Sequence, residues 1–451
     1  MTPPPLSIRQ HARALLKLAL PLIGSQVAQF AIGLTDAIML GWYDIQAFAA
    51  QVLGGSFFFV FFLFGSGFAF GLSPIVASAV GQDDQTQIRR STRMSLWLVA
   101  IFAALAIPVM LMSEPILLLL GQEAVLASHA GIYLDIVSWS VLPALVVMVI
   151  RSYLSALEQA GVILYVTLAS VALNALVNYG LIFGNWGLPE MGLRGAAVAS
   201  LAVHCFTLLF LLLYAVRRNP QHLLLHRFWR PDWEAFWSVF HVGWPIGITM
   251  LAEVGLFTGA SIMVGWVGVI ELGAHGIAMQ LATLAFMFHL GLSQAVTVRA
   301  GNAHGRGDWL GMRRGAVVAL AVSFAGAMAA CLIFVLFPEP LLMIFVSRDE
   351  PNLTALIAQG TSLLYLAAAF QLADAMQVMG VGLLRGLKDT RIPMLFAAFS
   401  YWGIGIPIGY VMGFVLDWGV EGVWIGLVLG LVAAALLMMG RFIRLARAGG
   451  Q

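Results

Sequence analysis

Three carboxylates lie deep inside long apolar runs of the sequence: Asp36, Glu253 and Asp374. A charged carboxylate at the centre of a lipid bilayer costs about 2.5–3.5 kcal/mol on an insertion scale. No lysine or arginine lies at a comparable depth, because the nearest candidates, Arg151 and Arg385, fall at the ends of their runs. Acids without a basic partner in such a setting favour binding of a cation or a proton over a salt bridge that merely locks two helices.

The first acid has polar side chains at helical spacing. Gln29 and Gly33 share a helix face with Asp36, and on another apolar run Asn174 and Asn178 are four residues apart. One carboxylate and two amide oxygens form a hard-oxygen set that suits Na⁺, and the same carboxylate can hold a proton. The alternative for the two asparagines is hydrogen bonding between helices, which is common in membrane bundles.

The other two acids have aromatic neighbours. Met250 and Phe257 lie at helical spacing from Glu253. Asp374 shares a stripe with Phe370, Gln371, Gln377 and Val378. Carboxylates attract a cationic ligand, phenylalanine rings offer cation–π faces, and a methionine adapts its shape. We therefore expect Glu253 and Asp374 to bind both the coupling ion and an amphipathic organic cation, which would compete there.

The elements that carry these acids are predicted to be membrane-spanning helices. The chain has 451 residues, of which 61% are hydrophobic and 10% charged, whereas soluble domains carry about 25% charged residues. A net charge of +2 gives no reason to expect a nucleic-acid partner. A spanning helix needs roughly 20 apolar residues, and the sequence offers twelve such runs, near residues 15–41, 46–79, 93–113, 125–157, 161–184, 193–216, 234–266, 270–299, 313–337, 354–385, 392–416 and 420–442.

The basic residues predict the orientation of these helices. If the N-terminus is cytoplasmic and the chain crosses twelve times, all but two of the 23 lysines and arginines fall in inner segments. The two exceptions are Arg194 and Arg348. Such an excess of positive charge on one side is typical of cytoplasmic loops. The sequence therefore predicts a multi-pass protein of a bacterial-type inner membrane, with both termini in the cytoplasm.

The sequence also repeats itself. The segment PLIGSQVAQFAIGLTDAIMLGW begins at Pro21, and the similar segment PIGITMLAEVGLFTGASIMVGW begins at Pro245. We therefore expect an all-α protein with an N-terminal six-helix lobe over residues 1–216, a cytoplasmic linker over 217–233 and a C-terminal six-helix lobe over 234–451. Two parallel repeats imply a pseudo-twofold axis along the membrane normal and a cleft between the lobes, which favours a transporter over a duplicated scaffold.

Several functions are not supported by any pattern in the sequence. We find no phosphate-binding loop, no metal-ligand pair at helical spacing and no convincing nucleophile–base set. We therefore expect no enzymatic activity, no use of ATP by this chain and no cofactor beyond a coupling ion. A channel is disfavoured by the two-lobe repeat.

Four segments carry a resemblance to a known family. They are PLIGSQVAQFAIGLTDAIMLG, RSYLSALEQAG, MGLRGAAVAS and QLADAMQVMGVGLLRGLKDT, of which the last is the most specific. Together they resemble the multidrug and toxic compound extrusion (MATE) transporters, and the acids at 253 and 374 resemble the NorM-type branch. The resemblance implies two six-helix lobes around a V-shaped cleft and export of drugs in exchange for Na⁺ or H⁺. It also implies small organic cations and membrane lipids as partners, with the monomer as the working unit.

The resemblance also assigns residues to sites. It matches Asp36, Asn174 and Asn178 to the coupling-ion site of the first lobe, and Glu253 and Asp374 to the ion and substrate site of the second. The remaining substrate-cavity residues are Ser56, Phe257, Phe286, Phe370 and Gln371.

At two of these positions, Phe286 and Phe370, related exporters often carry tyrosine. Phenylalanine keeps the ring and loses the hydroxyl, so the resemblance does not decide between Na⁺ and H⁺. An alternative function is a flippase for lipid-linked precursors in a related superfamily. That role calls for a cationic cavity, whereas the buried charges here are acidic.

Overall fold

The computed structural model describes residues 7–346 and 351–449, and this part of the chain is helical, without a β-strand. It contains twelve helices that are long and apolar enough to cross a membrane, which confirms the predicted all-α membrane fold. Arg348, predicted to lie outside, falls beyond the described residues. The helices are α1 Ile8–Tyr43, α2 Ile45–Gly81, α3 Gln85–Leu111, α4 Ala124–Ala156, α5 Ala160–Phe183, α6 Leu193–Arg218, α7 Trp233–Val267, α8 Val269–Gly305, α9 Trp309–Leu336, α10 Leu353–Gly386, α11 Arg391–Val415 and α12 Gly419–Ala448.

The helices extend beyond the apolar runs at several ends. The sequence placed the start of α3 near residue 93, but the helix begins at Gln85. Asp84 precedes it and accepts a 2.9 Å hydrogen bond from the backbone N–H of Gln87. This cap satisfies one of the free amides of the first turn. A charged turn therefore continues the helix outside the hydrocarbon region, where hydropathy alone gives no signal.

By their mutual contacts the described residues form two compact units. The N-terminal unit is Gly24–Gly247, and the C-terminal unit combines the residues up to Ile23 with those from Ile248 onward. The boundaries lie inside α1 and α7, close to Pro21 and Pro245. A proline removes one backbone hydrogen bond and so weakens a helix locally. The two boundaries fall at equivalent positions in the two copies of the sequence repeat, whereas the lobe limits at residues 216 and 234 stay a prediction.

Four helices end in the same kind of turn at the side predicted to be cytoplasmic. In each turn a backbone N–H reaches back five residues to a carbonyl, as in a Schellman motif, over 2.9–3.0 Å. The residue before that N–H is left-handed, with φ between 56° and 69°. The turns follow α2, α4, α8 and α10, and their left-handed residues are Asp83, Glu158, Gly307 and Lys388. The duplication thus extends to the local geometry of the loops.

The α11 helix is irregular where it packs against α7 and α12. Two segments of it, Phe399–Gly405 and Val411–Val415, are π-helical. The backbones of α11 and α12 approach so closely that a Cβ at Gly426 would overlap the Cα of Gly409. A π-helical turn changes the register of the residues that follow it. It therefore decides which α11 side chains face the neighbouring helices.

The segment between α6 and α7 is tied to the N-terminal unit. Asp232 binds Arg90 at 2.5 Å, and Arg90 also binds Glu234 at 2.6 Å. His222 is buried, where its Nδ1 lies 2.5 Å from the Tyr153 hydroxyl. Further bonds run from α3 to the backbone of this segment, from Arg93 to His226 and from Trp97 to Phe228. The predicted linker is thus an ordered strap over residues 219–232, and we call it the strap below.

Candidate functional site

The structure brings the predicted first ion site together inside the N-terminal unit. Asp36 on α1 is 7% exposed, and Asn174 and Asn178 on α5 are fully buried. The two asparagine Nδ2 atoms donate to Oδ1 of Asp36 at 2.8 and 2.6 Å. Ser200 on α6 donates to Oδ2 at the longer distance of 3.5 Å. Three helices therefore converge on one carboxylate.

The amide groups of this site leave oxygen atoms without partners. The Oδ1 atoms of Asn174 and Asn178 are buried and accept no hydrogen bond from any described residue. A buried polar atom without a partner is costly in an apolar setting. Turning either amide about its last side-chain bond would place its oxygen beside Asp36, which gives an all-oxygen set that fits Na⁺. The same carboxylate, which forms no salt bridge with any described residue, also fits a proton, so its role as an ion site stays a prediction.

The structure adds two residues to this site that the sequence reading did not single out. Ser200 lies in the MGLRGAAVAS segment, which was used only for its resemblance. Tyr133 on α4 is 5% exposed and lies close enough to Asp36 for their charges to interact when both are ionised. Neither residue has a spacing pattern with Asp36, because each comes from a separate helix.

The second acid pair lies within the C-terminal unit. Asp374 is 1% exposed and Glu253 is half-buried. One carboxylate oxygen of each is buried and has no hydrogen-bond partner among the described residues. The two groups are close enough for their charges to repel each other. The structure thus brings the two predicted acids together, and their shared role in binding a cation stays a prediction.

The isolation of this pair from positive charge is less complete than the sequence suggests. Arg385, next to the last residue of α10, is close enough to attract Glu253. The sequence predicts Arg385 at the end of its apolar run, and it does lie at the end of α10. That position does not report the distance to a different helix, and α7 brings Glu253 within reach of the arginine charge.

An aromatic residue lies one helical turn from each acid of the pair, Phe257 on α7 and Phe370 on α10. Phe370 is 2% exposed and lies between Phe257 and Trp424, with both ring-centroid distances at 5.9 Å. The buried Trp424 donates from Nε1 to Nδ1 of His275 at 3.1 Å, and Nε2 of His275 lies 2.9 Å from the Ser261 hydroxyl. Phe257 is half-buried and is the more accessible ring of the pair. In this conformation Phe370 therefore supports Phe257 rather than offering an open face itself.

Two glutamines on α10 form hydrogen bonds to neighbouring helices, Gln371 to α8 and Gln377 to α11. Gln371 is fully buried and donates from Nε2 to the carbonyl of Ala282 at 2.9 Å. Gln377 is 1% exposed and donates from Nε2 to the Tyr401 hydroxyl at 2.7 Å. Both side-chain oxygens are buried and unpartnered within the described part of the chain. Tyr401 was missed by the sequence reading, because nothing local marks it as facing inward from α11.

Two predicted cavity residues have no such surroundings. Ser56 lies on α2 in the N-terminal unit, is exposed, and donates to the carbonyl of Val52 at 2.8 Å. Phe286 on α8 is half-buried. Their places in a substrate cavity stay predictions.

Comparison with known proteins gives the family. The MatE family model matches residues 21–180 and, separately, residues 245–411. The chain belongs to the MatE family. The two matches begin at Pro21 and Pro245, the first residues of the two copies of the sequence repeat, which confirms the internal duplication. In this chain Asp36 lies in the first match, and Glu253 and Asp374 lie in the second.

Full-length relatives refine this assignment to the NorM type. The chain is 48% identical to the "Probable multidrug resistance protein NorM" of Rhizobium meliloti strain 1021, over 97% of this chain and 94% of the relative. It is 36% identical to the "Multidrug resistance protein NorM" of Burkholderia vietnamiensis, over 97% and 95%. Both relatives are aligned over nearly their whole length, so the predicted resemblance to NorM is confirmed.

Solved structures confirm the fold. A MATE crystal structure in complex with MaL6 matches with a TM-score of 0.89 at 19% identity, over 98% of this chain and 97% of that one. A MOP superfamily transporter from Pyrococcus furiosus, described as having a binding pocket of reverse polarity, matches with a TM-score of 0.88 at 18% identity, over 98% and 97%. At such identities the likeness speaks for the fold alone.

Proposed function

We propose that this MatE chain exports amphipathic organic cations from the cell in exchange for Na⁺ or H⁺. The observation that carries the proposal is the acid pair Glu253 and Asp374, each of which has a buried oxygen without a partner among the described residues. One helical turn from these acids, the Phe257 and Phe370 rings contact each other at 5.9 Å. A relative at 48% identity is named "Probable multidrug resistance protein NorM". Carboxylates supply the charge that attracts a cation, and the rings supply apolar and cation–π contact.

The two acid sites divide the work in this proposal. Asp36 with its two asparagines binds mainly the coupling ion, because its surroundings are polar and compact. The Glu253 and Asp374 pair binds the ion and the drug in turn, since two like charges in an apolar setting need a cation. Entry of one cation then displaces the other, and this displacement couples the two movements.

The membrane gradients are large enough for such an exchange. A potential of 100 mV contributes about 2.3 kcal/mol per charge moved, and a tenfold ion gradient contributes about 1.4 kcal/mol. One ion exchanged for one neutral drug would sustain a drug gradient of several hundredfold. For a charged drug, the net charge moved per cycle decides how much of the potential contributes.

The cellular setting follows from the charge distribution of the sequence. We propose an inner-membrane location with both termini in the cytoplasm, since nearly all basic residues fall in the predicted inner segments. The six-helix lobes over residues 1–216 and 234–451 would alternate access to the sites, and one chain would suffice for transport. The proposal needs no cofactor other than Na⁺ or H⁺, no protein partner and no nucleic acid.

Efflux of ethidium from energised cells tests the proposal. Cells that express the chain should lose preloaded ethidium faster than cells that express the Asp374→Asn variant. The difference should vanish when an ionophore collapses the Na⁺ and H⁺ gradients, and it should survive depletion of ATP alone. Efflux that stops when ATP is depleted and continues when the ionophore collapses the gradients would refute ion coupling.

A further inference from the structure

Tyr401 is a buried phenol in an unusual stretch of helix. It has no exposed surface and lies inside the π-helical segment Phe399–Gly405 of α11. π-Helical turns make up well under 1% of residues and occur frequently at functional sites. The Tyr401 oxygen accepts a hydrogen bond from Nε2 of Gln377 at 2.7 Å. One lone pair and the phenolic proton therefore remain for other partners.

The α11 helix holds Tyr401 beside the second acid pair. Tyr401 is close enough to both Glu253 and Asp374 for their charges to interact when the groups are ionised. The adjacent Trp402 donates from Nε1 to the carbonyl of Ala252 at 3.3 Å. Its ring also packs so closely on α7 that a Cβ at Gly255 would lie 2.6 Å from it. Trp402 thus fixes α11 against the stretch of α7 that carries Glu253.

The three helices that meet here supply several oxygens without donors. Phe257 and Phe370 join α7 to α10, and the Gln377–Tyr401 bond joins α10 to α11. Within the described residues, buried side-chain oxygens without a hydrogen-bond partner occur on all three helices, on Glu253, Gln371, Asp374, Gln377 and Ser400. So many unpaired oxygens in an apolar setting are costly unless a cation gathers some of them.

We infer that the Tyr401 hydroxyl and the Gln377 amide oxygen complete the cation-binding set of Glu253 and Asp374 and favour Na⁺ there. This inference rests on the proposed function, in which the pair binds the coupling ion. Protonation satisfies a carboxylate with one atom, whereas a metal ion needs several neutral oxygens around it. Tyr401 supplies from α11 the hydroxyl that Phe286 and Phe370 lack.

The inference differs from a structural role of the same bond. If the Gln377–Tyr401 contact only joins two helices, its loss should weaken the packing around the site and reduce every ligand's affinity together. If the hydroxyl binds the ion, its loss should affect Na⁺ far more than a large organic cation, which has no use for a hard oxygen. The ratio of the two affinities therefore separates the roles.

Equilibrium titrations of the purified full chain with Na⁺ and with tetraphenylphosphonium test the inference. All variants are made in the Asp36→Asn background, which removes the first site, and are titrated at one fixed pH. Tyr401→Phe should weaken Na⁺ binding about tenfold or more, because a hydroxyl that faces the ion is lost. Tetraphenylphosphonium affinity, measured without Na⁺, should stay within about twofold.

Tyr410→Phe is the matched control, because Tyr410 lies on the same helix but is 49% exposed. It should leave both affinities unchanged. The inference is overturned if Tyr401→Phe leaves the Na⁺ affinity unaltered or lowers both affinities equally. It is also overturned if the Asp36→Asn protein that carries Tyr401 binds no Na⁺. That last result would leave the proposal of H⁺-coupled export intact. Adding Asp374→Asn should weaken binding of both ligands. If neither affinity changes, the proposed substrate site itself is wrong.

Discussion

At the scale of single residues, Asp36 and Asp374 are both buried but differently surrounded. Two asparagine amides donate to Asp36 at 2.6–2.8 Å, whereas one oxygen of Asp374 has no partner within the described chain. A carboxylate that already accepts hydrogen bonds holds its charge with less need of a counter-ion. Asp374 has a charged neighbour of the same sign in Glu253 and therefore has the greater need for a cation.

This difference predicts separable effects of two substitutions. Asp374→Asn should weaken equilibrium binding of an organic cation and remove its competition with the coupling ion, because half of the acid pair is lost. Asp36→Asn should abolish ion-driven export and leave drug binding within about twofold, because it changes only the first site. Binding of tetraphenylphosphonium to purified protein and its export from vesicles measure the two properties separately. If Asp36→Asn destroys drug binding as fully as Asp374→Asn does, with both proteins folded, one shared site replaces the two proposed here.

The sequence predicts some of these residues and misses others for a geometric reason. Asn174 and Asn178 are four apart on one apolar run, and the structure does bring them to Asp36. Ser200 and Tyr401 each come from a further helix, and local spacing says nothing about the rotation of one helix against another. For Tyr401 the difficulty is greater, because a π-helical segment shifts the α11 faces away from the ordinary 3.6-residue period.

At the scale of elements, the sequence predicts a helix boundary where hydropathy changes. It does not predict the boundary where a polar turn with its cap extends the helix. The start of α3 shows this, since Asp84 caps a turn that no apolar run includes. The contact between α11 and α12 is a second case. The sequence shows glycines on both helices, but only the structure shows which ones touch.

Two glycines of α12 form a matched pair for testing this contact. A Cβ at Gly426 would overlap the backbone of Gly409, whereas a Cβ at Gly440 meets nothing within 4 Å. Gly426→Ala should therefore lower stability by about 1–3 kcal/mol through overpacking. Gly440→Ala should raise it by about 0.5–1 kcal/mol, since alanine is the better helix former. Thermal unfolding in detergent measures both, and shifts of the same sign would contradict the observed packing.

The strap between α6 and α7 predicts a pH-dependent contribution to stability. Hydrogen bonds from Arg90 hold the pKa of Asp232 below its ordinary value. A group whose pKa is lower in the folded state stabilises the protein above its unfolded pKa, about 3.9 for aspartate, and loses that effect as the pH falls through the folded value. Asp232→Asn should therefore cost about 1 kcal/mol at pH 7, given the partial exposure of the pair.

Unfolding temperatures of the parent and the Asp232→Asn variant provide the measurement. The difference between them should be full at pH 7, begin to shrink below about pH 4 and fall further with more acid. Glu123→Gln is the control, since Glu123 is exposed and its side chain caps no helix amide. An Asp232→Asn effect that is constant from pH 7 to pH 3 would show that the strap does not depend on this carboxylate charge.

At the scale of the whole molecule, the internal duplication defines the two halves of the chain, and the distribution of basic residues predicts its orientation in the membrane. Two separate MatE matches cover the two copies of the sequence repeat, with Asp36 in the first and Glu253 and Asp374 in the second. The basic residues, nearly all in predicted inner segments, set the expected orientation in the membrane. The sequence predicts the twelve helices and the duplication because hydropathy and repeats are long-range patterns. It does not reveal the coupling ion, which depends on a few oxygen atoms from separate helices.

Transport by the purified chain in sealed lipid vesicles tests the central claim most directly. The vesicles are loaded so that the Na⁺ or H⁺ concentration is higher inside than outside, and no ATP is present. Ions that leave through the protein should then drive uptake of external tetraphenylphosphonium into the vesicles. A gradient of at least one of the two ions should drive this uptake. Vesicles that contain Asp36→Asn or Asp374→Asn should show no more uptake than protein-free vesicles. Uptake that is equally fast without any ion gradient, or unaffected by loss of both acids, would contradict cation-coupled export.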